Sequence, residues 1–124
     1  MTRQQIQGLN GVQLAFIGDT VYDLFVREDV LATGEAVKFL QKKAASRVNA
    51  GAQAVAFDRI APLLTEEESD VARRGRNAHS RPPKNQNPGD YSKATALEAL
   101  FGYLYLTENK DRLLELIEII RRED

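Results

Sequence analysis

The chain has 124 residues, no cysteine and a formal net charge of −1 at pH 7. Its length suits one domain, expected over residues 1–124, with a real though modest core; the missing cysteines exclude disulfides and thiolate-held metals. Hydrophobic residues at 43% and charged residues at 28% exclude wholesale disorder, "MTRQQIQGLNG" lacks a signal-like apolar run, and no stretch reaches the ~20 apolar residues of a membrane span, so a cytoplasmic protein with no membrane partner is expected.

The pattern predicts helices nearly throughout. Asn10 is a good N-cap for a first long helix running to about residue 31, where "ATGE" breaks it. Val37, Leu40, Ala44 and Val48 then recur at three-to-four spacing, with an interruption expected near residues 49–51 and an end at Pro62. Thr65 and Glu68 stand in capping-box register and start another helix. Residues 77–91, with Pro82, Pro83, Pro88 and Gly89, read as a loop. Ser92 is the expected cap of the next helix, "KATALEALFGYLYLT", and "DRLLELIEIIRR" forms the last. No alternating run long enough for a sheet occurs, so the fold class expected is an all-α helical bundle.

Two carboxylates stand out. On a helical wheel Asp19 falls beside Val12, Ala15, Phe16 and Val26, at the edge of the face expected to be buried, and Gly18 next to it would let a helix or ligand approach closely. Glu98 is the only charged residue of "ATALEALFGYLYL", a segment apolar almost all round, with Gly102 among its wheel neighbours. If the two acids converge, their repulsion calls for a cation, and Mg²⁺ with its oxygen ligands suits a pair of carboxylates completed by water and phosphate. If they do not, each could pair with a buried base such as Arg47. Asp23 reads as structural, since Arg27 lies one turn on.

Charge is also distributed unevenly. Between Asp70 and Asp90 there is no acidic residue but there are Arg73, Arg74, Arg76, His79, Arg81 and Lys84. A basic patch on a near-neutral chain suits a protein that meets nucleic acid on one face; a solvated helix end, where arginines complement the dipole, accounts for some of it without a ligand. Lys38, Lys42, Lys43 and Arg47 form a second strip that reads as a wet face.

The stretch "FIGDTVYDLFVR" resembles the ribonuclease III signature, roughly E-F-L-G-D-A-V-L, and "TALEALFGYLYL" resembles that family's second metal-binding helix, roughly D-x-x-E-A-L-x-G-x-x-x-L. The likeness is closest to the compact bacterial branch called Mini-ribonuclease III, a catalytic domain without a double-stranded-RNA-binding domain. The resemblance implies a ribonuclease III-like fold and a homodimeric, Mg²⁺-dependent endonuclease that cuts double-stranded RNA to leave 5′-phosphate and 3′-hydroxyl ends, with 23S ribosomal RNA precursor as the associated substrate. It assigns Asp19 and Glu98 as catalytic metal ligands and Phe16 to the dimer interface, where an ordinary core phenylalanine is the alternative. Arg73, Arg74, Arg76, Asn77, His79, Arg81 and Lys84 are the candidates for gripping RNA. The wider family has further acidic ligands where this chain has Ala15 and Thr95; Thr95 could hold a metal-bound water. That thinner set keeps two other readings in view: a non-catalytic dimeric RNA-binding or ribosome-associated protein, and a helical interaction module with salt-bridged acids.

Overall fold

Asparagine caps decide where the two longest helices begin. The computed structural model describes residues 1–78 and 82–122. Asn10 accepts a hydrogen bond from Gln13 N at 2.8 Å and opens α2 (Gly11–Leu31), following a five-residue α1 (Arg3–Gln7). The interruption expected near residue 49 separates α3 (Val37–Val48) from α4 (Ala50–Ile60), with Asn49 capping the latter and a 3₁₀ turn (Ala61–Leu63) carrying Pro62. The Thr65–Glu68 capping box starts α5 (Glu66–Arg76) as read.

One boundary and one element differ from expectation. The helix assigned to Ser92 starts earlier, as α6 (Pro88–Leu106), because Asn87 supplies the cap and Pro88 fills the first helical position, where its missing N–H costs nothing. The short α1 carries too little apolar periodicity to be read; its Thr2–Gln5 capping box is the local cause. The last helix, α7 (Lys110–Arg121), lies where the pattern placed it. All elements of the described residues are helical, the all-α architecture expected.

The other helices gather around α6, whose residues 94–97 and 99–104 are buried on every side. Leu97, Leu100 and Phe101 have no exposure and meet Leu14 and Val26 of α2, Ile60 of α4, and Leu116 and Ile117 of α7 in one cluster. The Phe101 ring stands edge-on to Tyr22 at 5.2 Å and to Phe25 at 6.4 Å between centroids; burying such a ring contributes roughly 1.5–3 kcal/mol.

Small residues set how closely α2 and α6 cross. A Cβ on Gly18 would overlap the Glu98 carbonyl oxygen, and one on Gly102 would overlap the Leu14 carbonyl oxygen. The two backbones therefore touch where only glycine fits, and Asp19, one residue after Gly18, is delivered to Glu98. Gly11 and Gly75 do the same for α5: a Cβ at Gly75 would stand 2.7 Å from Ala99 Cβ, and one at Gly11 would press on the Arg74 carbonyl. The base of the bundle is pinned by a buried ion pair, in which Arg112 of α7 donates from Nε and Nη2 to the two Glu68 carboxylate oxygens at 2.8 Å each.

Candidate active site

The α2–α6 crossing opens on one side into a pocket of about 510 Å³. Asp19 and Glu98 line it together with Thr95 and Tyr91 of α6, Gln53 of α4 and Asn49 at the α4 cap. Convergence of the two acids is thus the outcome. Neither acid makes an ion pair among the described residues, and Arg47, the alternative partner, is held at 2.9 Å by Asp29, which also takes Arg121 at 2.7 Å. Asp23 pairs with Arg27 at 2.8 Å, as its spacing predicts.

The wheel placed Asp19 too deep. It is exposed to the pocket, whereas Glu98 is half-buried, because α2 lies on the outer side of α6 and turns Asp19 toward the opening. Burial first, and then Asp19 by hydrogen bonding and repulsion, push the Glu98 carboxyl up from 4.5 to about 8; the Gln53 amide beside it acts in the opposite direction. A carboxyl so placed either keeps a proton or meets a cation.

The donor set fits a hard divalent ion. Among the described residues no group of three or more His, Cys, Asp or Glu gathers, so the protein offers two carboxylates, with amide and hydroxyl oxygens nearby. Mg²⁺ binds through one or two carboxylates and otherwise keeps water or takes phosphate oxygens, and an open pocket leaves room for both. Thr95 donates its hydroxyl proton to the Tyr91 carbonyl at 2.9 Å, which leaves the oxygen's lone pairs free to accept.

The family model for the ribonuclease III domain matches residues 12–109, from the start of α2 to the turn after α6. The chain belongs to the ribonuclease III family. Its relatives are of the Mini-ribonuclease 3 branch: the chain is 43% identical over 121 residues to Mini-ribonuclease 3 of Thermoanaerobacter sp., covering 96% of this chain and 85% of the relative. It is 45% identical over 107 residues to that of Symbiobacterium thermophilum, covering 85% and 82%. A crystal structure of a Fusobacterium nucleatum protein superposes with a TM-score of 0.85 at 31% identity, covering 92% of this chain and 94% of that one.

In this ribonuclease III domain the remaining candidates fall in different places. Phe16 is 82% exposed and borders an apolar hollow lined by Met1, Leu9, Val12, Ile17 and Leu106, so it is not a core residue. Arg73, Arg74 and Asn77 line a groove of about 760 Å³ with Asn10 and Gly11. That groove adjoins the acidic pocket at Val12, which lines both. Within it Arg73 leans on Asp70 at 3.5 Å, and half-buried Arg74 donates to the Leu9 carbonyl at 3.4 Å. Arg76 and Lys84 are exposed and stand outside the groove lining; His79 and Arg81 lie outside the described residues. The weaker basic strip is partly neutralised, Lys43 by Glu35 at 2.8 Å and Arg47 by Asp29, as a wet face would be.

Sequence reasoning missed Gln53, Asn49, Gln86 and Tyr91 on the pocket wall. Gln53 had a signal: it is the lone uncharged polar residue among the apolar positions of "AGAQAVAF" on α4, the same kind of anomaly that drew attention to Glu98.

Proposed function

We propose that this protein is a Mg²⁺-dependent endoribonuclease that cleaves double-stranded RNA, with Asp19 and Glu98 holding the ion. Family membership supports endoribonuclease action on double-stranded RNA. The observation that carries the assignment of residues is the meeting of two acids in an open pocket, with neither one neutralised by a base among the described residues.

Asp19 and Glu98 would hold Mg²⁺, which when bound would supply charge stabilisation for phosphodiester hydrolysis and a more acidic water. The chain's own residues do the rest. Asp19 and Glu98 fix the ion, and Thr95 offers an acceptor for water at the α6 wall. Arg73, Arg74 and Asn77 draw the neighbouring phosphates into the adjoining groove, with Arg76, His79, Arg81 and Lys84 extending the grip. Hydrolysis on the 3′-oxygen side of phosphorus leaves 5′-phosphate and 3′-hydroxyl ends. Cutting both strands of a duplex calls for two such pockets, so the protein acts as a homodimer joined at the apolar surface around Phe16. Precursor 23S ribosomal RNA is the substrate we assign, in the cytoplasm; no helix of the described residues is long and apolar enough to cross a membrane.

Incubation of the protein with duplex RNA, with and without Mg²⁺ and beside Asp19→Asn and Glu98→Gln, tests this reading. Cleavage that requires the ion and both acids supports it. Binding without cleavage would instead favour an RNA-binding protein that keeps the fold, and end-labelled products report the phosphate's position.

A further inference from the structure

Two buried side-chain nitrogens among the described residues lack a hydrogen-bond partner, Gln53 Nε2 and Arg74 Nε, and only Gln53 lines the pocket with Asp19 and Glu98. Gln53 is 3% exposed. Water therefore has little access to satisfy the amide, and an unpaired buried donor is destabilising. Its backbone is secured by the Asn49 cap, which accepts from Ala52 N at 2.9 Å and holds the first turn of α4 against the pocket. The amide shares the pocket wall with Glu98 and favours its ionised carboxylate, yet Nε2 makes no hydrogen bond to it.

A polar group kept unpaired beside a carboxylate pair has its natural partner in another state of that pair. Carboxylates that bind an ion are themselves hydrogen-bonded, and such outer partners set both orientation and affinity. We propose that Gln53 is a positioning residue of the cation site, its Nε2 donating to Glu98 and fixing that carboxylate toward Asp19 when a divalent ion is bound. The inference rests on the proposed cation-binding role of Asp19 and Glu98. It assigns Gln53 no contact with RNA and none with the ion. The thin set of acidic ligands gives this contact its importance, because with two carboxylates the orientation of each matters more than in a larger set.

The test is Mn²⁺ binding to the full-length, RNA-free protein, followed by the loss of the free-ion signal in electron paramagnetic resonance, for the native protein and Gln53→Met. Methionine keeps the shape and removes the donor. We expect Mn²⁺ affinity to fall roughly 10- to 100-fold, while the metal-free melting temperature stays level or rises, since the unpaired donor is gone. A variant that binds Mn²⁺ within twofold of native overturns the proposal, as does one that melts lower with affinity unchanged, the mark of a structural amide alone. A second measurement needs no variant: on adding Mg²⁺ to labelled native protein, one Gln53 side-chain amide proton should move downfield. An amide that stays put while the Asp19 backbone resonance shifts refutes the positioning role. Native protein that binds no Mn²⁺ at all would instead remove the cation site itself, so the two failures are distinct.

Discussion

Glu98→Gln should stabilise the metal-free protein, and more so as the pH rises. The unfolded chain ionises this carboxyl near 4.5, whereas in the folded pocket burial and Asp19 raise it to about 8. Between those values the folded state keeps a proton that the unfolded state releases. The stability of the native protein is therefore whole below 4.5 and declines as the pH climbs through 8. Each pH unit across that window is worth about 1.4 kcal/mol, for an upper bound near 5 kcal/mol. Glu98 is only half-buried and faces pocket water, so screening reduces the expected gap to about 2–3 kcal/mol at pH 8. The neutral amide escapes this cost at every pH. In a domain of this size that gap is about 6–12 °C of melting temperature. Thermal unfolding in EDTA at pH 5 and pH 8, followed by circular dichroism, measures it: the variant should run close to native at pH 5 and well above it at pH 8. Mg²⁺ at about 100 times its Kd should then raise the native protein by about 2.7 kcal/mol and the variant by less. If Glu98→Gln melts below native by the same margin at both pH values, Glu98 is an ordinary structural acid and the charge-frustrated pair is refuted.

Gly18→Ala should cost more than the ~1–3 kcal/mol of ordinary overpacking, because its Cβ overlaps the Glu98 carbonyl; urea unfolding would reveal a variant no less stable than native if the helices can separate freely. Arg112→Met should destabilise by about 3–5 kcal/mol, since it strands Glu68, which is 6% exposed. Burial alone would raise the Glu68 carboxyl, but hydrogen bonds from Arg112 and Thr65 hold it below its usual range, so this contribution is full above 4.5 and fades as the pH falls through the lower folded value, closing the gap in acid melts. Phe16→Glu should leave helicity and melting nearly unchanged, given 82% exposure in the single chain, while in sedimentation velocity the proposed dimer should give way to monomers.

The local signals were legible because their physics is local. Caps at Asn10 and Thr65 and the break at Pro62 follow from which side chains can satisfy free backbone N–H groups and which cannot donate one; near residue 49 the pattern shows only an interruption, and its cap, Asn49, comes from the structure. The pattern reads Ser92 as the next cap and residues 77–91 as loop, but Asn87 holds the cap position with Pro88 directly after it, so the loop ends earlier. Asp19 and Glu98 were conspicuous as lone acids among apolar neighbours, and the family motifs around them named the chemistry. Gln53 carried a similar anomaly, but Glu98 lies 45 residues away, and one-dimensional spacing cannot show that α4 brings Gln53 to the same pocket.

Composition and periodicity by themselves determined an all-helical chain with isolated acids on two long helices and a basic stretch between them. Only the tertiary structure decided what those acids face. A wheel gives the angle of a side chain about its own axis but not the position of the neighbouring helix, and here that position depends on backbones touching at Gly18 and Gly102. Asp19 faces outward, Phe16 stays on the surface and Gln53 Nε2 is closed in without a partner among the described residues, because burial belongs to the packing of several helices and to none of them alone.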